Sequence, residues 1–252
     1  VGEISEPELA NERFSGYQPG RRIGKAGLEA QYEEVLSGEN GVRYVEVNAL
    51  GLIVRDINNE RGQPAFPGND LQLGIDFDLQ VLADSIFPQG MRGGVVALDP
   101  DTGEVLVLYS HPTFDPNQFI GGIPTDLWNT LRDDPGKPML NRVSTASYPP
   151  GSTWKPIMAA IGMGTGAFGI DTYMQHPCRG GLQYGNRFFR CWQSSGHQGL
   201  DLAGAIKHSC NVFFYQAGQR IGLDEMMAGV DRLGFGEETG IDLPFEISGM
   251  FP

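Results

Sequence analysis

The sequence predicts an α+β fold, in which helices pack on an antiparallel sheet, preceded by a small N-terminal module. Two observations carry this prediction: a β-hairpin pattern in the middle of the chain, and several helical stretches that follow it. A run punctuated by proline and glycine at residues 62–70 indicates a domain boundary. We therefore expect an N-terminal module at residues 1–70 and a larger domain at residues 71–252.

The composition excludes some classes of function. The chain carries 18 basic and 31 acidic residues, a formal net charge of -13 at pH 7. Binding along a nucleic-acid backbone or on anionic lipid needs clustered lysine and arginine, so neither partner is expected. No run reaches about 18 apolar residues, and the first residues lack the pattern of a signal peptide, so no membrane-spanning segment is expected in this chain.

The N-terminal module contains two periodic segments. Leu28–Leu36 places apolar residues on one helical face and predicts an amphipathic helix. Val42–Val54 alternates apolar and polar residues and predicts a half-buried strand.

A helix and a hairpin open the larger domain. Asp78–Phe87 has apolar residues at the spacing of one buried stripe, formed by Leu79, Leu82, Ala83 and Ile86. Gly94–Leu98 and Glu104–Ser110 are β-rich runs on either side of the turn-forming segment Asp99–Gly103, so they should pair antiparallel.

The remainder of the domain is predicted to be a long loop followed by helices. Thr113–Pro150 contains many prolines and should be mostly loop. Ile157–Ile170 is apolar with small residues and predicts a helix within the core. Asp201 and Asp224 are expected to be the N-caps of two further helices, the second ending at Gly234.

The first motif with chemical potential is Ser152-Thr-Trp-Lys155. On a helix, residues three apart lie on one face, so the Ser152 hydroxyl and the Lys155 amine could share a proton. The preceding Pro149-Pro-Gly turn should place Ser152 at a helix N-terminus, where free amides favour an oxyanion. The alternative is an exposed helix start with a solvated lysine.

The second motif is Ser209-Cys-Asn211, the one S-x-N pattern in the chain. On a tight turn between helices it would direct a hydroxyl and an amide into one cleft. Ser209 could then relay a proton to a leaving group, and Asn211 could hold a substrate amide. The alternative is that both residues cap helices.

Together the two motifs resemble the penicillin-binding protein and serine β-lactamase superfamily. Further segments resemble the class B penicillin-binding proteins, and this resemblance covers nearly the whole chain. In the transpeptidase domain these segments are Gly93–Pro100, Asp115–Asn117, Pro138–Arg142, Tyr148–Lys155, Phe213–Tyr215 and Thr239–Pro244. In the small pedestal module that precedes it they are Ile23–Glu29 and Glu46–Ala49.

The resemblance implies a peptidoglycan D,D-transpeptidase of cell elongation. Ser152 would be acylated by the penultimate D-alanine of a stem pentapeptide, with Lys155 as the base and with Ser209 and Asn211 as the second motif. An amine from a neighbouring stem would resolve the acyl-enzyme, and β-lactams would trap it. The implied partner is a membrane glycosyltransferase, at the periplasmic face of the inner membrane.

Two other functions stay open. A D,D-carboxypeptidase or a β-lactamase would use the same motifs but resolve the acyl-enzyme with water, although the N-terminal module disfavours a β-lactamase. A non-catalytic scaffold would keep the fold and only bind partners.

The chain departs from the family in one motif. The family's third motif, Lys-Thr-Gly, is expected beyond residues 239–244, and no lysine of this chain is followed by Thr-Gly. We therefore expect the sequence to be a fragment that also lacks the family's transmembrane anchor, and whose active site is impaired on its own.

Three cysteines and a histidine form a candidate zinc site. Cys178, Cys191, His197 and Cys210 supply three thiolates and one imidazole, a closed tetrahedral set for structural zinc. Their spacing matches no standard zinc finger. The alternatives are a Cys178–Cys191 disulfide with a buried Cys210 thiol, which a periplasmic location would permit, or three free cysteines. His176 and His208 are weaker substitutes for His197.

Overall fold

The computed structural model describes residues 1–57 and 62–250. These residues form two compact units. One comprises Val1–Ala146 with Gly240–Ile247, and the other comprises Ser147–Thr239 with the segment that starts at Ser248. Across the described ranges, every helix is too short or too polar to cross a membrane.

The first unit contains five helices and six strands among its described residues. In chain order they are β1 (Gly2–Glu3), α1 (Glu6–Leu9), β2 (Arg22–Ile23), α2 (Gly27–Gln31), α3 (Glu33–Leu36), β3 (Val45–Val47), β4 (Ile53–Asp56), α4 (Phe77–Ile86), β5 (Gly93–Leu98), β6 (Val105–His111) and α5 (Thr125–Asp133). All of its strand pairs are antiparallel hairpins or ribbons: β1 with β2, β3 with β4, and β5 with β6.

The predicted helix Leu28–Leu36 is broken in the structure. Tyr32, at φ -103° and ψ 23°, ends α2 and precedes α3. The side chain buried on α3 is Glu33, whose carboxylate accepts a 2.7 Å hydrogen bond from the Gly24 amide. A buried carboxylate needs such a donor, and the break allows Glu33 rather than the apolar stripe to turn inward.

The predicted strand Val42–Val54 is two paired strands, β3 and β4. Between them the Asn48 side chain accepts hydrogen bonds from the amides of Leu50, at 2.9 Å, and Leu52, at 3.0 Å. Asparagine competes with strand pairing by bonding to its own backbone, and here it reverses the chain.

The predicted helix and hairpin at the start of the larger domain are confirmed as α4, β5 and β6. Gly93 pairs with His111 at the open end of the hairpin. The predicted buried stripe on α4 is wrong, because only Ala83 is buried and Ile86 is 68% exposed. Ala83 packs in a cluster with Val107 and Tyr109 of β6, and a two-stranded sheet is too narrow to cover the rest of the stripe.

The segment predicted as loop, Thr113–Pro150, also contains the helix α5 and a 3-10 turn at Pro116–Phe119. Helix α5 begins after Pro124, without a side-chain N-cap, so it lacked the usual start signal.

The second unit is helical with one hairpin. Its described elements are a 3-10 turn (Gly151–Thr153), α6 (Trp154–Gly164), β7 (Gly181–Tyr184), β8 (Arg187–Arg190), α7 (Leu202–Lys207), α8 (Asn211–Ile221) and α9 (Leu223–Arg232). Its core is built around α8, with Val212 and Ala217 completely buried. The antiparallel strand pairs and the packed helices confirm the α+β prediction.

Helix α6 starts at Trp154, before the predicted range 157–170, and ends at Gly164, inside that range. It ends where the Thr165 hydroxyl donates to the Ile161 carbonyl at 3.0 Å, and Phe168 then folds back over Gly162. A Cβ at Gly162 would lie 2.1 Å from the Phe168 ring, so glycine permits this return.

One of the two predicted helix caps is confirmed. Asp201 caps α7 by accepting a 2.7 Å hydrogen bond from the Gly204 amide. Asp224 is not an N-cap: the cap position of α9 is Gly222, at φ 82°, and Asp224 lies in the first turn. Gly222, with its positive φ, connects α8 directly to α9. The Asp224 carboxylate in the first turn still interacts favourably with the positive end of the helix dipole. Helix α9 ends at Arg232, two residues before Gly234.

Candidate active site

Ser152 lies in the 3-10 turn that leads into α6. Gly151, at φ 58°, reverses the chain after the two prolines, and the Thr153 hydroxyl donates to the Pro150 carbonyl at 2.6 Å. Ser152 is exposed, so its hydroxyl is accessible to a substrate. The predicted position at the beginning of a helix is confirmed, with a 3-10 turn in place of the first α-helical turn.

Lys155 is buried one turn further on, with 9% of its surface exposed. Its ammonium donates to the Ser209 carbonyl at 2.7 Å, to the Ser209 hydroxyl at 2.8 Å and to the Asn211 side-chain oxygen at 2.7 Å. These three acceptors use all three N–H groups of the ammonium. The structure therefore joins the two predicted motifs through Lys155.

Ser209 lies between the other two groups. Its hydroxyl donates to the Ser152 hydroxyl at 3.0 Å while it accepts from Lys155. Among the hydrogen bonds of the described residues, none connects Ser152 to Lys155 directly. Spacing alone predicted direct proton sharing between Ser152 and Lys155, whereas the structure places the Ser209 hydroxyl as the link.

The turn that carries Ser209 is strained and held from several sides. Ser209 has φ 49°, a left-handed conformation that non-glycine residues rarely adopt. Its amide donates to Ile206, and the Trp192 indole donates to the carbonyls of His208, at 3.1 Å, and Ser209, at 3.2 Å. These contacts stabilise the turn that brings Ser209 between Ser152 and Lys155.

Burial shifts the protonation equilibrium of Lys155 toward the neutral amine. Burial lowers the pKa of Lys155 from 10.5, and negative charge on the nearby sulfur atoms of Cys191 and Cys210 would oppose this effect. A lysine must lose its proton before it can act as a base, so a lowered pKa suits that role.

Asn211 is the first residue of α8 and faces the same group of residues. Its amide nitrogen lies 3.4 Å from the carbonyl of Arg190, which also accepts a 3.1 Å hydrogen bond from the Tyr215 hydroxyl. The hairpin β7–β8 is thereby tied to the second motif. Sequence reasoning did not predict this hairpin or the indole contacts of Trp192.

The four candidate metal ligands come together in the same unit. Their donor atoms all lie within 4.8 Å of one another. His197 Nδ1 is 3.7 Å from the Cys178 sulfur and 3.6 Å from the Cys191 sulfur. Tetrahedral zinc, with its usual bond lengths to sulfur and nitrogen, would separate these atoms by roughly 3.6 Å. The donor set therefore fits zinc in chemistry and in spacing.

The protonation chemistry of the cluster suits a cation. Burial lowers the pKa of His197, which favours the neutral imidazole that metals bind. Burial raises the pKa of the Cys210 thiol to about 12, so a thiolate there would need a neighbouring positive charge. All three cysteines are buried free thiols, without a Cys178–Cys191 disulfide. His176 and His208 are outside this four-residue cluster.

The chain is similar to known proteins along its whole length. A family profile described as the penicillin binding protein transpeptidase domain matches residues 93–252, and one for the penicillin-binding protein dimerisation domain matches residues 1–73. The peptidoglycan D,D-transpeptidase MrdA of Acinetobacter baumannii is 39% identical over 252 residues, which are 100% of this chain and 37% of that protein. The Escherichia coli K12 protein of the same name is 35% identical over 240 residues, 95% of this chain and 37% of its own length.

Solved structures show the same similarity. The penicillin-binding protein PBP2 of Helicobacter pylori in complex with MreC has a TM-score of 0.83 at 34% identity, covering 100% of this chain and 45% of that one. Pseudomonas aeruginosa PBP2 in complex with WCK 5153 has a TM-score of 0.78 at 32% identity, covering 100% and 50%. This chain spans less than two fifths of the length of the curated relatives. It belongs to the family of penicillin-binding proteins with a transpeptidase domain.

Proposed function

We propose that the protein containing this chain is a peptidoglycan D,D-transpeptidase that cross-links stem peptides through an acyl-enzyme on Ser152. The observation that carries the proposal is the hydrogen-bonded series from Ser152 through Ser209 to Lys155. It lies within the segment that matches the transpeptidase family.

The geometry supports a specific order of proton transfers. Ser152 Oγ attacks the carbonyl of the penultimate D-alanine, and its proton passes through the Ser209 hydroxyl to the neutral Lys155 amine. The same path returns a proton to the departing D-alanine nitrogen, which breaks the peptide bond. An amine of a second stem then attacks the ester, gives up its proton along this path, and releases Ser152 with a new amide bond.

Asn211 has a positioning role in this proposal. Its side-chain oxygen accepts from Lys155, which fixes the orientation of the amide. The remaining N–H capacity of that amide is available to a substrate carbonyl beside the weak contact with Arg190.

We further propose that Cys178, Cys191, His197 and Cys210 hold a structural zinc ion. The ion would connect the loop of residues 178–198 to Cys210, the residue between Ser209 and Asn211. Support comes from the spacing of the donor atoms and from the neutral imidazole at His197. In this role the residues position the second motif and take no part in proton transfer.

The wider setting is also a proposal. We place residues 1–70 in a pedestal module and 71–252 in the transpeptidase domain, which the two family matches support. Solved relatives include a PBP2 complex with MreC and a peptidoglycan synthase complex. On this basis we propose a place at the periplasmic face of the inner membrane, membrane-anchored beside a glycosyltransferase of the elongation machinery, with β-lactams as inhibitors.

Intact-protein mass spectrometry of the full-length protein tests the nucleophile. One penicillin adduct is expected on Ser152, and Ser152→Ala should carry none. Ser147→Ala is the matched control, because Ser147 is an exposed serine just before the motif, and it should keep the adduct. An adduct on Ser152→Ala would refute the assignment, and an unlabelled wild type would favour the scaffold.

Product analysis separates transpeptidase from carboxypeptidase. Stem pentapeptides with an amine acceptor should give cross-linked dimers together with released D-alanine. Release of D-alanine without dimers would assign the acyl-enzyme to a D,D-carboxypeptidase instead.

A further inference from the structure

Gln216 is a buried amide on α8 to which the proposed mechanism assigns no role. It is 7% exposed and lies on the helix that begins at Asn211. A buried amide needs partners for both its oxygen and its nitrogen, because an unpaired polar group in the interior is costly. The partners of Gln216 therefore indicate which part of the chain it holds.

The main partner of Gln216 is the backbone of His176. The His176 amide donates to Gln216 Oε1 at 2.8 Å, and Gln216 Nε2 donates to the His176 carbonyl at 2.9 Å. Nε2 also donates to the Val212 carbonyl at 3.1 Å, which fixes the amide against its own helix. Among the hydrogen bonds of the described residues, the two contacts with His176 are the ones that join residues 171–180 to α8.

The position of His176 determines the position of Cys178. Pro177 lies between them, and a proline has a fixed φ and confines the preceding residue to an extended conformation. Cys178 in turn exchanges two backbone hydrogen bonds of 2.9 Å with Gln198, the neighbour of His197. The His176 peptide group therefore holds two of the candidate zinc ligands, Cys178 and His197.

Cys210 is held by the other end of the same connection. It is the N-cap residue of α8, is 1% exposed, and lies between Ser209 and Asn211. Cys210 thus moves with α8, whereas Cys178 moves with the His176 peptide group. Because Gln216 joins these two parts, its amide sets the separation between Cys178 and Cys210.

We propose that Gln216 is a positioning residue for the four candidate zinc ligands and, through them, for the turn that carries Ser209. The inference rests on the proposed zinc site and adds the group that sets its geometry. With both amide contacts in place, Cys178 and His197 are held beside Cys210 before a metal binds. Without these contacts the ion itself has to hold the two segments together, so it binds more weakly.

The zinc affinity of the reduced full-length protein, measured by competition with a chromogenic chelator, tests this directly. Gln216→Met keeps the length of the side chain but removes both polar atoms, and its zinc affinity should fall by roughly 10- to 100-fold. Gln80→Met is the matched control, because the Gln80 side chain forms the same pair of hydrogen bonds with the backbone of Leu108, at 2.9 and 3.0 Å. That pair joins α4 to β6 in the other compact unit, so Gln80→Met should bind zinc as tightly as wild type.

The rate of penicillin acylation at increasing zinc concentration separates positioning from a general loss of stability. Gln216→Met should acylate slowly at low zinc and approach the wild-type rate as zinc saturates the site, because the bound ion then holds Cys178 against Cys210. The zinc concentration at half recovery should rise by the same factor as the dissociation constant. His176→Ala should behave like wild type, since it removes an exposed imidazole and keeps the backbone that Gln216 binds.

Gln216→Glu is a milder change at the same position. A buried carboxyl group tends to keep its proton, and it then has one acceptor and one donor, the pairing that the His176 backbone requires. Its zinc affinity should lie between those of wild type and Gln216→Met, so the test does not depend on one variant.

Equal zinc affinity in Gln216→Met and Gln80→Met would overturn the inference, as would slow acylation that saturating zinc does not restore. A wild type that binds no zinc would overturn it together with the zinc proposal, and would leave the acyl-enzyme proposal intact. Penicillin labelling of Ser152 in the wild type decides that proposal separately, since an unlabelled protein can still have its zinc affinity lowered by Gln216→Met.

Discussion

The hydroxyl of Ser209 lies 3.0 Å from the hydroxyl of Ser152. The Lys155 ammonium lies 2.8 Å from the same Ser209 oxygen, so two hydrogen bonds through Ser209 connect Ser152 to Lys155. In the proposed mechanism Ser209 takes part in the acylation step itself, so its removal should slow acylation even though Ser152 and Lys155 remain.

Ser209→Ala is expected to lower the rate of Ser152 acylation by roughly 10²- to 10⁴-fold, the usual contribution of a positioned proton-transfer group. Rapid-mixing measurements with a fluorescent penicillin would give the rate. Ser85→Ala removes a hydroxyl that bonds only within α4 and should acylate at the wild-type rate. Acylation of Ser209→Ala within a factor of a few of wild type would show that the proton takes another route.

The acylation rate should rise with pH as Lys155 loses its proton. Burial lowers its pKa in the folded state, so the midpoint of the rise should fall below 10.5, the ordinary lysine value. Between the lowered pKa of the folded state and the ordinary value of 10.5 in the unfolded state, the unfolded chain binds more protons than the folded one. Lys155 therefore makes the folding stability increase with pH across that window.

A pH–rate profile of penicillin acylation checks this prediction. Lys155→Met should abolish the rise, whereas Lys207→Met, at an exposed lysine, should leave the profile unchanged. A flat profile in the wild type would rule out Lys155 as the base.

Local sequence patterns predicted the parts of the site but not their connection. Ser152, Lys155, Ser209 and Asn211 follow from two short motifs, because each motif lies within one turn and its side chains share a face. The position of Ser209 between Ser152 and Lys155 depends on how α6 packs against the turn between α7 and α8, which no local pattern specifies.

The missed hairpin and the misjudged helix have related causes. Strand β8 has large side chains at every position, Arg187 to Arg190, so it shows no alternation of apolar and polar residues. Glu33 is buried because the Gly24 amide, from another part of the chain, satisfies its carboxylate. Both features are set by tertiary contacts that override local propensity.

Trp192→Phe should slow acylation without removing any group from the proton path. The indole donates to the carbonyls of His208 and Ser209, and phenylalanine keeps an aromatic ring but has no N–H. Because the Ser209 turn is strained, losing these donors should let it relax, and we expect a loss on the order of tenfold in acylation rate.

Rapid mixing with penicillin measures the acylation rate, and metal analysis measures the zinc content of the same variant. Trp128→Phe makes the same change on α5 and should have no effect. A wild-type rate in Trp192→Phe would show that Lys155 and the backbone hold the turn by themselves.

The zinc proposal predicts about one zinc per chain by elemental analysis of the full-length protein. Cys178→Ser should lose most of it, and a chelator should lower the melting temperature of the wild type but not that of the variant. Serine keeps the size of the buried Cys178 side chain. If Cys178→Ser lost stability but kept its zinc, the loss would come from packing alone. Zinc-free protein with a Cys178–Cys191 disulfide would refute the metal site.

Gly196 offers a test of the same site without changing a ligand. It has φ 78°, and a Cβ there would lie 2.1 Å from the Cys178 carbonyl oxygen. Gly196→Ala must therefore move the loop between Cys178 and His197, and zinc content should fall. Gly185→Ala is the matched control, because Gly185 also has a positive φ of 55° but a Cβ there meets nothing within 4 Å. Both variants carry the left-handed strain of about 1 kcal/mol, so only Gly196→Ala should lose metal. Equal zinc content in the two variants would show that the His197 loop does not hold the ion.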